Sequence, residues 1–251
     1  MDLVRALTRA AAELADALWP RACPLCGAAA PDEVACAAHA LPERPRGARC
    51  ERCAAALPPG LPDGARCAAC RRRAPGWSRL VALGDYAAAP ALREWILALK
   101  HGGRPELARW LAPPLAARAA PWLAATDVLV PVPLHPLRRL ERGYDQAALL
   151  ARELGERSGL RVAALLHRVR DTSPQGAWGP RSRASNVEGA FAVALGRRAA
   201  PQRVWLVDDV VTSGATAAAC ARALRRAGVR EVGVLALARA APRPGGYPLP
   251  P

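Results

Sequence analysis

Two adjacent carboxylates, Asp208 and Asp209, stand where a short apolar run typical of a buried strand should end. A turn rich in hydroxyl groups follows, and an alanine-rich stretch then predicts a helix over 217–227 that stops at Gly228. Backbone N–H groups at a helix N-terminus stabilise an anion, and paired carboxylates accept hydrogen bonds from a vicinal diol. A phosphate and a diol held side by side describe a ribose 5-phosphate. The candidate phosphate-binding residues of the turn are Thr212, Ser213, Gly214, Ala215 and Thr216.

This stretch has two other interpretations. The acidic pair could merely cap the helix and have no further role. An ATPase strand of the Walker B type also ends in carboxylates, but it requires a glycine-rich loop that ends in Gly-Lys-Ser/Thr. The chain has a single lysine, Lys100, within A-L-K-H-G-G, so the sequence contains no such loop. A lone lysine in an arginine-rich chain indicates a position that favours a compact ammonium group.

Seven cysteines and one histidine form four pairs, and two residues separate the members of each pair. Such pairs form knuckles that converge on one metal, and thiolates with imidazole suit tetrahedral Zn²⁺. Disulfides are the alternative, but the N-terminus lacks the pattern of a signal peptide, so we expect a reducing, cytoplasmic location. Sequential pairing predicts two structural zinc sites, while an interleaved pairing stays open. The sequential groups are Cys23, Cys26, Cys36 and His39, and Cys50, Cys53, Cys67 and Cys70.

The chain of 251 residues carries a formal net charge of +15. This balance attracts phosphate-bearing partners, whether a sugar phosphate or a nucleic acid. Enrichment in Ala, Arg, Pro and Gly is also what GC-rich coding produces, and we assign most of the excess charge to that cause. No apolar run approaches the roughly 20 residues of a membrane-spanning helix, so we expect no membrane span.

Strand patterns alternate with helical patterns along the rest of the chain, which predicts an α/β domain with a central parallel sheet. The other strands are predicted at 80–86, 128–132, 162–166, 189–193 and 231–238, and the helices at 90–100, 105–120 and 145–158. The predicted domains are an amphipathic helix over 1–20, a small double zinc-ribbon module over 21–75, the α/β domain over 76–240 and a disordered tail over 241–251.

Two further segments are candidates for the site. A basic turn between the 128–132 strand and Gly143 could bind a second anion or simply be solvated. The polar span over 170–186 is long enough to act as a lid over a ligand, with Trp178 as its apolar contact, although disorder is the alternative. The basic residues of the turn are His135, Arg138, Arg139 and Arg142.

The chain resembles the ComF family, in which a zinc-ribbon module is fused to a type I phosphoribosyltransferase domain. The likeness rests on the cysteine pairs after L-W-P-R, on L-K-x-x-G, on P-V-P-L-H with R-G-Y-D-Q, and on V-D-D-V-V-T-S-G-A-T, the signature for 5-phosphoribosyl 1-pyrophosphate (PRPP). Two departures occur: His39 replaces a cysteine, and Tyr144-Asp145 replace Phe-Asn. The residues that match the family's mobile-loop pattern are Thr172, Gln175, Arg183, Asn186 and Phe191.

The resemblance assigns roles to the candidate residues. It implies that Asp208 and Asp209 hold the ribose diol and that the 212–216 turn binds the 5-phosphate. It also implies Mg²⁺, bound together with PRPP. The residues implied for the pyrophosphate are Lys100, Arg139 and Arg142, and those implied for catalysis are Asp208, Asp209 and Arg142.

Two functions from different classes follow from the resemblance. The first is a phosphoribosyltransferase that uses PRPP and an unidentified nitrogen acceptor, in a family associated with DNA uptake during natural transformation. The second is an accessory protein without turnover that senses PRPP or handles single-stranded DNA. In that case the zinc module and the arginine-rich surface would contact single-stranded DNA or a helicase partner.

Overall fold

The structure is a computed structural model that describes residues 22–30, 34–41, 47–169, 189–196 and 199–240. The chain divides into two compact units, Met1–Leu41 and Pro42–Pro251. This division falls between the two cysteine groups of the predicted double zinc-ribbon module. Neither unit is known to fold alone, so the predicted domain boundaries stay a prediction. The predicted N-terminal helix, lid and tail lie outside the described residues.

A five-stranded sheet, parallel throughout, forms the centre of the second unit. Its strands in spatial order are β1 (Leu80–Asp85), β7 (Glu231–Arg239), β6 (Arg203–Val211), β2 (Val128–Pro131) and β3 (Arg161–Val162). A separate antiparallel hairpin pairs β4 (Leu166–Arg168) with β5 (Phe191–Val193). The predicted α/β class with a central parallel sheet is confirmed.

Helices cover both faces of this sheet. The α-helices among the described residues of the second unit are α1 (Ala68–Arg72), α2 (Pro90–His101), α3 (Ala108–Ala119), α4 (Pro136–Arg142), α5 (Gln146–Ser158) and α6 (Ala215–Arg226). Single 3₁₀ turns occupy Ala37–His39, Pro105–Leu107 and Ala120–Trp122. No helix in the described ranges is long and apolar enough to cross a membrane.

The core has two layers because side chains along a strand alternate between the faces of the sheet. On one face, α6 packs against alternate strand residues such as Leu206 and Val234. On the other face, α3 contacts β1 and β7, and α5 contacts β2 and β6. Both helices bury leucines there, which explains why the strands read as continuous apolar runs. These leucines are Leu111, Leu115, Leu150 and Leu154.

The central strand β6 is longer than predicted. It continues through the acidic pair, because Val210 and Val211 still pair with Ala238 and Arg239 of β7. The prediction that the strand ends at the carboxylates is therefore wrong. The following helix begins at Ala215, earlier than predicted, so the last two residues of the predicted turn belong to its first turn.

Two other segments also differ from the prediction. The basic turn is a short helix, α4, which has Pro136 in its first turn and ends at Gly143 in a left-handed conformation (φ 77°). The predicted 162–166 strand is interrupted, because the N–H of Ala163 bonds Leu129 and the N–H of Leu165 then bonds Ala163. The chain leaves the central sheet at that point and enters the hairpin.

Candidate functional site

The cysteine and histidine side chains converge in the two sequential groups, and in each group all ligand atoms lie within 4.8 Å of one another. Cys26 Sγ lies 3.7 Å from Cys36 Sγ, which lies 3.3 Å from His39 Nδ1. Cys53 Sγ and Cys67 Sγ are also 3.7 Å apart. Tetrahedral zinc would separate two sulfurs by about 3.8 Å and a sulfur from a nitrogen by about 3.5 Å. Both groups therefore fit a zinc ion.

The two groups differ in burial. Cys26 of the first group is exposed, whereas three of the four thiols in the second group are buried. Hydrogen bonds from Cys53 and Cys70 lower the pKa of Cys50, so this thiol ionises readily, as a metal ligand must. The described cysteines are all free thiols, and none of them forms a disulfide.

The acidic pair near the carboxyl end of β6 contains two unlike carboxyl groups. The N–H of Asp209 donates to Asp208 Oδ1 at 2.8 Å, and the N–H of Val210 donates to Asp209 Oδ1 at 2.6 Å. Burial, reinforced by the charge of Asp209, raises the pKa of Asp208 to about 8. Asp208 is therefore mostly protonated at neutral pH, while Asp209 pairs with a cation.

That cation is Lys100, the chain's only lysine. Its Nζ lies 3.0 Å from Asp209 Oδ1, and the two side chains are 22% and 13% exposed. Lys100 is in the last turn of α2, which is fixed by an apolar stripe that includes Trp95 and Leu99. The structure thus brings together two candidate residues that the sequence predicted from separate motifs.

Several basic residues act on His101, the residue beside Lys100. Burial and the positive charges of Arg142, Lys100 and Arg138 lower the pKa of His101. The negative charge of Asp209 acts in the opposite direction but is outweighed. Arg142 and Arg138 of α4 therefore add positive charge at His101, the residue that follows Lys100. Arg142 is half-buried, whereas Arg138 and Arg139 are exposed. The sequence analysis missed His101, although its position beside Lys100 was a signal.

Tyr144 and Asp145, which replace the Phe-Asn of the family motif, have structural roles. The Tyr144 hydroxyl donates to the carbonyl of Leu99 at 2.7 Å, so it ties the segment after α4 to the residue before Lys100. Asp145 caps α5, since its Oδ1 accepts from the N–H of Ala148 at 3.1 Å. Its other oxygen accepts from the N–H of Leu134 at 3.2 Å. Tyr144 therefore connects the end of α4 to α2, and Asp145 connects the segment after β2 to α5.

The turn between β6 and α6 requires glycine for two reasons. Gly214 is left-handed (φ 82°), and a Cβ at this position would lie 2.6 Å from Trp77 Cη2. Ser213 Oγ accepts from the N–H of Ala215 at 3.3 Å. Glycine offers no side chain to cap the helix, so the first turn of α6 keeps N–H groups that can bind an anion.

Comparison with curated proteins identifies related chains. The chain is 32% identical over 176 residues to competence protein F of Haemophilus influenzae, which is 67% of this chain and 76% of the relative. It is 35% identical over 174 residues to DNA utilization protein YhgH of Salmonella typhi and 34% identical to that of Escherichia coli K12, with 67% of this chain and 75% of each relative covered. The chain belongs to the ComF family. No family model matches it.

The ComF motifs come together in part. Lys100 meets the acidic pair, and the turn after β6 begins α6 at the same end of the sheet. Phe191 of the mobile-loop pattern begins β5, where Arg168 lies 5.8 Å from its ring centre. The other mobile-loop residues lie outside the described residues: Thr172, Gln175, Arg183 and Asn186.

Proposed function

We propose that this ComF-family protein binds PRPP at the carboxyl edge of its sheet and transfers the phosphoribosyl group to a nitrogen acceptor. The Lys100–Asp209 pair beside a glycine-initiated helix carries the proposal. PRPP presents a pyrophosphate, a diol and a 5-phosphate. An ammonium group, a carboxyl pair and a free helix N-terminus are chemical partners for these three groups.

Each residue would act through the chemistry it already has. Ionised Asp209 would accept hydrogen bonds from the ribose hydroxyls, and protonated Asp208 could also donate one. Lys100 and Arg142 would bind the pyrophosphate, with Arg139 at the exposed side. Because Lys100 pairs with Asp209, its move to the pyrophosphate would free that carboxylate for the diol.

The turn over 212–216 would bind the 5-phosphate. Its hydroxyl groups and the amides of the first turn of α6 supply donors, and Gly214 leaves room for close approach. Thr212 is exposed, and Ser213 and Thr216 are half-buried, so a ligand could reach them from solvent. The turn and the acidic pair are neighbours in sequence, as the 5-phosphate and the diol are neighbours in the sugar.

The acidic pair also fits Mg²⁺, which prefers oxygen ligands. Among the described residues, the groups of three or more potential metal ligands are the two cysteine-rich groups. Asp209, the ionised member of the pair, would therefore hold the ion only with substrate oxygens and water. When bound, Mg²⁺ would neutralise charge on the pyrophosphate.

The transfer exchanges one bond at the anomeric carbon. The C1–O bond to pyrophosphate breaks and its electron pair leaves with pyrophosphate, while the acceptor nitrogen supplies the pair for the new C1–N bond and loses its proton to solvent. Lys100 and Arg142 would stabilise the negative charge that develops on the leaving group. The protein's contribution is thus positioning and electrostatics.

Calorimetric titration of PRPP with Mg²⁺ into the zinc-loaded protein tests this proposal. We expect binding by the wild type and none by the Asp208→Asn/Asp209→Asn variant. The control is Glu153→Gln/Glu156→Gln, which makes the same two carboxyl-to-amide changes on α5 and should bind as the wild type does. Pyrophosphate release with a panel of nitrogen acceptors then tests turnover. Failure of the wild type to bind PRPP would overturn the proposal.

A second candidate is an accessory protein that binds DNA without turnover. The relatives' names, a competence protein and a DNA utilization protein, favour it, as does the net charge of +15. The salt dependence of single-stranded DNA binding measures how many phosphates are contacted. The double aspartate variant should retain DNA binding, because the arginine-rich surface is unchanged. Loss of DNA binding in that variant would contradict a separate DNA surface.

A further inference from the structure

Arg239 is a buried arginine whose partners are backbone carbonyl groups. It is the last residue of β7 and is only 4% exposed. Its Nε donates to the carbonyl of Cys53 at 3.1 Å, and its Nη1 donates to that of Val211 at 2.9 Å. Nη1 also donates to the carbonyls of Thr212 and Ala240. One guanidinium thus joins the second cysteine group to the start of the candidate phosphate turn.

These bonds orient the turn. A trans peptide is planar, so its C=O and N–H groups point in opposite directions, and the described residues contain no cis peptide. Because the carbonyls of Val211 and Thr212 point at Arg239, the N–H groups of Thr212 and Ser213 point away from it. Together with the N–H of Ala240, which also donates to the Val211 carbonyl at 2.9 Å, Arg239 therefore fixes the direction of two donors in the turn.

Trp77 makes a second connection between the same two places. Its Nε1 donates to the carbonyl of Arg52 at 2.7 Å, and its ring is 2% exposed. The edge of that ring lies against Gly214, where a Cβ would be only 2.6 Å from it. Arg52 and Cys53 belong to one knuckle, since they follow the ligand Cys50. Two buried side chains thus hold the knuckle on one side and the turn on the other.

We propose that Trp77 and Arg239 are positioning residues through which the second metal site sets the geometry of the phosphate turn. A metal-bound knuckle fixes the carbonyls of Arg52 and Cys53. Those carbonyls fix the tryptophan ring and the guanidinium, which in turn hold residues 211–214. This inference rests on the proposed function, because it assigns the turn to a 5-phosphate.

The two cysteine groups allow a matched test of the metal site. Cys67→Ser removes a ligand from the second group, and Cys36→Ser makes the same change in the first group, which belongs to the other unit. We expect Cys67→Ser to speed hydrogen exchange of the amides in 208–216 and to weaken binding of ribose 5-phosphate roughly tenfold. Cys36→Ser should leave both unchanged. Zinc content of each variant shows that one ion has been lost.

A second pair of variants tests the connection where a cysteine variant fails to fold. Trp77→Phe removes the bond to Arg52, and Trp205→Phe removes an equivalent bond, from Nε1 to Asp127 Oδ2 at 2.9 Å, at the amino end of β6. Arg239→Lys and Arg203→Lys form a similar pair. We expect faster exchange in 208–216 only for the Trp77 and Arg239 variants, with a several-fold loss of ribose 5-phosphate affinity.

The readouts separate this inference from the proposed function. If the wild type binds no ribose 5-phosphate but exchange in 208–216 still responds to Trp77→Phe, the phosphate assignment fails and the connection stands. If the wild type binds and Trp77→Phe changes exchange no more than Trp205→Phe, the connection is wrong. An equal response to Cys36→Ser and Cys67→Ser would also overturn it.

Discussion

The two ends of β6 place an aspartate in opposite surroundings. Near the amino end, Asp127 is 2% exposed and accepts hydrogen bonds from Arg203 at 2.7 and 2.8 Å and from Trp205 at 2.9 Å. Burial favours the neutral form of Asp127, but these bonds outweigh burial and lower its pKa. Near the carboxyl end, burial and a like charge raise the pKa of Asp208 to about 8.

The surroundings of the two aspartates favour different roles, stabilisation of the fold at the amino end and ligand binding at the carboxyl end. The amino end satisfies a buried carboxylate with its own cation and donors, so that it stabilises the fold. The carboxyl end holds two adjacent carboxyl groups, and its one lysine pairs with Asp209, an arrangement that leaves bonding capacity for a ligand at a cost in stability. A substitution at the amino end should therefore mainly lower stability, whereas a substitution at the carboxyl end should mainly lower ligand affinity.

The largest expected loss of stability is at the amino end. Asp127→Asn replaces a buried carboxylate that accepts bonds from Arg203, Trp205 and a backbone N–H, and the new amide NH₂ would face donors, so we expect a loss of about 3 kcal/mol in the free energy of unfolding. Urea unfolding measures it. Glu156→Gln is the control, because it breaks an exposed ion pair with Arg152 and should change stability little. A small loss for Asp127→Asn would mean that the two ends do not differ as argued.

The next effect is on binding at the carboxyl end. Asp209→Asn removes the charge that pairs with Lys100, and we expect PRPP affinity to fall by about a hundredfold, or about 2.7 kcal/mol. The free energy of unfolding should change little, because Lys100 is partly exposed and can bind water. Calorimetry and urea unfolding of the same preparation give both numbers. A folded Asp209→Asn protein that binds PRPP normally would contradict this assignment.

The pH dependence of stability sharpens the comparison. Since folding raises the pKa of Asp208 from 3.8 to about 8, the folded state holds a proton that the unfolded state releases. Its stabilising contribution is complete below pH 4 and is lost as the pH rises to 8. Asp208→Asn should therefore match the wild type at pH 4 and gain stability relative to it by about 1.4 kcal/mol for each pH unit up to pH 8, where the difference levels off. Equal stability of both proteins at pH 9 would show that Asp208 is ionised without cost.

Local patterns made most of the fold predictable. Apolar runs mark β1, β2, β6 and β7, and glycine or proline marks the helix ends. These signals were sufficient to predict a parallel sheet and the succession of strands and helices along the chain. The end of β6 was misplaced, because carboxylates usually end a buried run. Only the pairing of Val210 and Val211 with β7, a contact between distant residues, shows that the strand continues.

The residues of the candidate site were predictable only where a single local motif contains them. The acidic pair and the 212–216 turn are a local signature, and Lys100 stands out as the chain's only lysine. Trp77 and Arg239 had no such signal, because each acts through contacts with residues far away in sequence. The same limit applies to Tyr144, which appeared only as a departure from a motif and whose partner lies on another helix.

The smallest expected effect is that of a substitution at Tyr144. Tyr144→Phe restores the residue usual in the family's motif and removes only the hydroxyl that binds the carbonyl of Leu99. Because this bond holds the residue before Lys100, we expect PRPP affinity to fall about threefold and the free energy of unfolding to fall by about 1 kcal/mol. Tyr86→Phe is the control, since it also removes only a hydroxyl group and the new ring would keep the contact with Arg93. If Tyr144→Phe loses stability but binds PRPP as tightly as the wild type, the position of Lys100 is set by α2 alone and not by the segment after α4.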